Sequence, residues 1–213
     1  MTTTAAPSRT HAEMFFDPTC PWAWMTSRWL MEAALVRDLD VTWSVMSLAV
    51  LNEGRDLDPD YTAMLERAWA PVRTIVAATK DLPADEANER RKAMYDAYGQ
   101  RIHRDGRGTD DLDAVTQEVL AELGLDPALA GAGSTDAVDE ELRASHQRAI
   151  DLVGDEVGTP VVSVEGVAFF GPVVTPAPTG EDAGRLWDGS LLVAGTPGFY
   201  ELKRTRTKGP DFG

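Results

Sequence analysis

The order of the hydrophobic periods decides the architecture. A short apolar run from Ala12 to Phe16 stops at Asp17-Pro18 and suits a buried strand. From Pro21 to Val36, Trp22, Met25, Trp29, Ala33 and Val36 recur at three and four, which predicts a helix. Pro21 fits the first helical position, where a missing N–H costs nothing. Val41 to Leu48 is rich in β-branched and aromatic residues and reads as a second strand. Strand, helix, strand is a βαβ unit, whose crossover is right-handed. At Asp58-Pro59, an N-cap with a first-turn proline, the texture changes. Helical patterns then run to Leu152, broken at Pro71, Pro83, Gly106, Gly124 and Gly131. The last of these helices starts near Thr135 and shows the stripe Val138, Leu142, His146, Ile150, Val153. Val161–Val164 and Val167–Phe170 flank Glu165-Gly166 and read as a β-hairpin. A final amphipathic helix covers about Glu181 to Val193.

This β-α-β, helices, β-β-α order predicts an α/β chain of thioredoxin type with an all-helical insertion of four or five helices. Residues 10–57 and 155–213 form a discontinuous thioredoxin-like domain, residues 58–154 the helical insertion domain, and residues 1–9 a disordered leader.

Charge and cysteine content narrow the chemistry. The chain holds 35 Asp+Glu against 20 Lys+Arg, a net of −15. Such a chain repels nucleic acid and anionic lipid, whose recognition requires Lys and Arg to neutralise phosphates. Neither is expected as a partner. The excess of acids is concentrated between Asp81 and Pro160, and Lys203, Arg204, Arg206 and Lys208 reverse the sign in the tail. Four such charges could hold an anion; the plainer reading is a solvated terminus. The first residues show no apolar signal-peptide region, and no stretch suits a membrane helix, so a cytoplasmic location is expected.

The single cysteine, Cys20, excludes an internal disulfide. It stands where a strand ends and a helix begins. Unpaired N–H groups and the positive dipole end of a helix favour a thiolate there, so the expectation is a lowered pKa. The alternative is a small buried hydrophobe.

The segment Asp17-Pro18-Thr19-Cys20-Pro21-Trp22-Ala23-Trp24 resembles the active-site segment of the DsbA-like thioredoxin superfamily. Within it, the chain is similar to the mycothiol-dependent nitroreductase family. Supporting segments are Thr26–Trp29, Val45–Leu48, Leu51–Glu53, Arg101–His103, Gly158–Pro160, Gly166–Pro172 and Glu201–Arg206. The sequence departs from the dithiol pattern at Ala23, where redox-active members carry a second cysteine. A dithiol cycle is closed to this chain, leaving monothiol chemistry. Cys20 then forms a mixed disulfide that a second small thiol resolves, or it positions a bound thiol for transfer.

The resemblance implies further site residues. Thr159-Pro160 corresponds to the cis-proline loop facing the cysteine, where the backbone next to the proline is left free for a bound thiol. Trp22, beside the thiol, suits stacking on a flat electrophile or a sugar ring. Pro21 fixes the turn. Asn52, Tyr61 and His103 match positions around the family's pocket. The Tyr61 hydroxyl is a hydrogen-bond donor for a thiol or nitro oxygen, and His103 is a proton donor near working pH. The expected catalytic residues are therefore Cys20 and His103. Pro21, Trp22, Asn52, Tyr61, Thr159 and Pro160 bind the thiol co-substrate. His146, on an apolar stripe, reads as a satisfied core histidine.

Implied partners are mycothiol and a small electrophile, a nitroaromatic compound or a mixed disulfide, with the protein a monomer or homodimer. Scattered histidines make no metal site, and no phosphate or dinucleotide motif supports flavin or nicotinamide. Two other readings stay open: a thiol-dependent isomerase or transferase resembling kappa glutathione transferases, and a non-redox ligand-binding protein of the same fold.

Overall fold

Strand β1 (Thr10–Phe16) is buried on both faces, which makes it a central strand. The structure, a computed structural model, describes residues 9–213; the expected leader, apart from Arg9, lies outside the described residues. Among these residues the sheet has four strands in the order β2-β1-β3-β4. Strand β2 (Leu39–Val45) pairs parallel to β1, with Ala12 opposite Val41 and Phe16 opposite Val45. Strand β3 (Val161–Val164) pairs antiparallel to β1, and β4 (Val167–Phe170) antiparallel to β3. This is the thioredoxin arrangement expected from the sequence. The hairpin turn places Glu165 at φ 47° and Gly166 at φ 89°. Two positive φ values in a two-residue loop match the strands' twist.

Helix α1 (Pro21–Val36) and helix α7 (Gly180–Ala194) pack together. Trp29 Nε1 donates to Ala183 O at 3.0 Å, and its ring lies 6.0 Å from that of Trp187. Ala12, Met14 and Phe16 join this core, while Phe15 points to the opposite face, into a smaller cluster with Met46, Ala149 and Val161. Glu13 shares the face of Phe15 and pairs with Arg148 at 2.8 Å.

Between β2 and β3 the chain is helical: α2 (Leu48–Leu51), α3 (Pro59–Thr79), α4 (Ala84–Gly99), α5 (Leu112–Glu122) and α6 (Asp139–Val153). Residues Gln100–Arg104 form a π turn that continues α4, and Pro127–Ser134 form a 3-10 segment. Strand β2 ends at Val45, earlier than its apolar run suggests, because the Ser47 hydroxyl caps α2 by accepting from Val50 N at 3.2 Å. His146 is buried as expected, but its Nδ1 has no partner among the described residues, so it is not a satisfied core histidine. Tyr95 on α4 stacks on Phe16 of β1 at 4.0 Å and meets Trp24 of α1 at 5.8 Å. This aromatic contact presses the helical block against the start of α1.

Candidate active site

The turn between β1 and α1 is built by its own side chains. Asp17 is buried, and its carboxylate accepts from Thr19 N at 2.8 Å, Thr19 Oγ1 at 2.7 Å and Leu48 N at 2.8 Å. Its carbonyl accepts from Cys20 N at 3.0 Å. Cys20 is thereby held as the N-cap of α1, with Pro21 in the first turn. Its sulfur accepts from Ala23 N at 3.4 Å and donates to Thr159 O at 3.3 Å. The Thr159–Pro160 bond is cis. The structure thus joins Cys20, Pro21, Thr159 and Pro160 across the carboxyl end of the sheet.

The electrostatics correct one expectation. Cys20 is only 5% exposed, and burial pushes its thiol up from the ordinary value rather than down. Desolvation is the largest influence, the Ala23 and Trp22 backbone groups favour the thiolate, and Asp17 opposes it. A sulfur donating to a carbonyl is a protonated one, so the resting group is a thiol. Replacing Asp17 by Asn removes a negative charge from beside the sulfur. The Cys20 pKa is expected to fall, read by thiolate absorbance against pH; a titration unmoved or shifted upward would refute the coupling.

Tyr61 stands in the first turn of α3, partly exposed, and burial raises its pKa; no hydrogen bond ties it to Cys20. Trp22 stays half-buried beside the thiol. His103 is placed differently from expectation. It sits in the π turn, with Nε2 2.9 Å from Pro18 O, and burial lowers its pKa to about 4. A neutral imidazole donating to a carbonyl is not the protonated acid expected at working pH; its contact holds the Pro18 end of the cysteine turn. Asn52 caps α2, its Nδ2 donating to Leu48 O at 2.8 Å, and it lines a small cavity of about 170 Å³ with Arg55, Thr62 and Trp69. No hydrogen bond ties it to Cys20.

Two groups escaped the sequence reading. Asp17 reads as a strand stop, although a carboxylate three residues before the cysteine was the available signal. Tyr95 is fully buried with its hydroxyl unpartnered, and burial raises its pKa well above the ordinary value. Thr159 Oγ1 is likewise buried without a partner. A cavity of about 770 Å³ lies elsewhere, between α3, α5 and the 3-10 segment. Among the described residues no group of three or more His, Cys, Asp and Glu could hold a metal, and no helix is long and apolar enough to cross a membrane.

The family described as Rv2466c-like, mycothiol-dependent nitroreductase Rv2466c, matches residues 19–204. The chain belongs to this family. Membership of this family makes thiol-dependent redox chemistry the general function, in keeping with Cys20 at the helix start. The chain is also 29% identical over 205 residues to the uncharacterized protein Rv2286c of Mycobacterium tuberculosis, covering 93% of this chain and 83% of that one. Among solved structures it resembles the cytosolic disulfide reductase DsbM of Pseudomonas aeruginosa with GSH. That match has a TM-score of 0.51 and 22% identity, covering 85% and 99% of the two chains. The oxidoreductase DsbA of Xylella fastidiosa matches with a TM-score of 0.52 and 18% identity, covering 87% and 86%. At these identities the solved structures establish the DsbA-like thioredoxin fold, and only that.

Proposed function

We propose that this member of the family is a mycothiol-dependent reductase that works through Cys20 alone. The observation that carries the reading is a sulfur held between Thr159 O and Ala23 N, with alanine where a resolving thiol would stand. In reducing a nitro group to a nitroso group, Cys20 and one mycothiol together give up two electrons and two protons. The products are water and a Cys20–mycothiol disulfide. A second mycothiol thiolate then attacks that disulfide, releasing mycothiol disulfide and returning the Cys20 thiolate, which takes a proton from solvent. Mixed disulfides enter the same cycle by direct exchange.

The remaining residues have roles in this scheme. The unpartnered Thr159 Oγ1 suits a hydrogen bond to the incoming thiol. The Tyr61 hydroxyl, at the start of α3, suits a hydrogen bond to a nitro oxygen. Trp22 offers a half-open indole face for a ring. Asn52 orients the short helix after β2, and His103 positions the cysteine turn instead of supplying the proton.

One observation favours a second reading. A buried, protonated sulfur is well suited to donate a hydrogen bond to a bound thiolate without forming a covalent bond, as the isomerase or transferase alternative requires. Intact mass after incubation with mycothiol disulfide separates the two. The expected result is one mycothiol attached by a reducible bond to Cys20. Absence of any adduct would remove the covalent cycle.

A further inference from the structure

The basic tail is not a free terminus. It runs back over the turn that holds Cys20. The guanidinium carbon of Arg206 lies 5.3 Å from the ring centroid of Trp22, two residues after the cysteine. Farther on, Asp211 N donates to Thr175 Oγ1 at 2.8 Å. The Phe212 ring lies 5.5 Å from the imidazole of His103, which in turn contacts Pro18, two residues before the cysteine. The segment from Arg206 to Phe212 therefore brackets the Pro18–Trp22 turn from both ends.

Arg206 differs from every other cation that rests on an aromatic ring among the described residues. Arg28 on Trp24 pairs with Asp96, as does Lys92 on Trp43. Arg73 and Arg143 on Trp69 pair with Asp139 and Glu53. Arg148 on Phe15 pairs with Glu13. Arg206 has no carboxylate partner among the described residues, although the chain carries 35 acids to 20 basic residues. Its charge rests beside an indole, exposed and without a carboxylate. Asp17, buried under the same turn, offers that ligand no attraction if it is an anion.

We propose that Arg206 is the anion-recognition residue of the Cys20 site, selecting disulfides or electrophiles that carry a carboxylate or a similar anionic group. The guanidinium fork matches a carboxylate in two-point contact, and the Trp22 face takes the flat part of the same molecule. The inference rests on Cys20 being the reacting thiol. In the test reaction the Cys20 thiol gives its proton to solvent and its sulfur attacks one sulfur of an aryl disulfide. A new S–S bond forms, the old one breaks, and one aryl thiolate leaves with the electron pair.

Because the chain has one cysteine, the released thiolate reports Cys20 without background. The full chain, Arg206→Gln and Arg206→Lys are each reacted with dianionic dithiobis(nitrobenzoate) and with neutral dithiodipyridine. In Arg206→Gln the ratio of the dianion rate to the neutral rate is expected to fall about five-fold at low salt, the scale of one fixed rim charge. Arg206→Lys should keep most of the ratio, and high salt should erase the difference. A ratio unchanged in Arg206→Gln, or a fall insensitive to salt, overturns the proposal; loss of both rates together would mark a purely structural strap and overturns it equally. A Cys20 that reacts with neither reagent in any of the three proteins refutes the Cys20 reading itself, and the proposal falls with it.

Discussion

Cys20→Ser is expected to lower mycothiol-dependent reduction on the order of a thousandfold or more, the scale at which removal of a covalent nucleophile acts. Serine keeps the helix cap, because its hydroxyl can accept from Ala23 N and donate to Thr159 O as the sulfur does. The backbone of the turn is fixed mainly by Asp17, Thr19 and Leu48, none of which changes. The variant therefore tests the sulfur and not the fold. Turnover is followed by mycothiol disulfide formation, and folding by far-ultraviolet dichroism. A variant that keeps a tenth or more of the activity would mean that the side chain only orients a bound thiol. A hydroxyl can do that almost as well, and the isomerase or transferase reading would replace the reductase.

Gly99→Ala is expected to destabilise the protein by about 2–3 kcal/mol, the upper part of the range for overpacking a filled core. The sign is the informative part. Gly99 ends α4 with helical backbone, φ −65°, ψ −34°, where alanine is ordinarily better than glycine by about 1 kcal/mol. Here a methyl group would overlap the six-membered ring of the Trp24 indole. That indole cannot step aside: it is 4% exposed, with Tyr95 at 5.8 Å and the Arg28 guanidinium at 4.0 Å. Its displacement also disturbs His103, 6.0 Å away, and through it the Pro18 carbonyl before Cys20. Urea denaturation measures the change. An unaltered or higher midpoint would show that the contact between α4 and α1 is looser than described.

The fold was largely legible because its signals are local. Pro21–Val36 carries both its period and its start, and Glu165-Gly166 names its own turn. Strand β2 was misplaced at both ends. Leu39 and Asp40 join the ladder only because β1 lies alongside, and apolar Leu48 belongs to a helix capped by Ser47. The π turn that seats His103 has no sequence period of its own. At the site, position was more legible than protonation. The helix start marked Cys20, but the field at its sulfur depends on burial by distant residues and on Asp17, neither of which shows in a linear pattern. The four tail cations are exposed, as a solvated segment should be, but the linear pattern does not show that the fold brings Trp22 beneath one of them.

Ala23 has a consequence for how such a protein reports on the cell. A dithiol partner exchanges one disulfide for two free thiols, so its oxidised fraction depends on the square of thiol concentration and shifts when the pool is diluted. A lone sulfur exchanges one for one. Its capped fraction follows the simple quotient of reduced to oxidised carrier and ignores the total amount, which would make this chain a gauge of redox balance that is blind to supply.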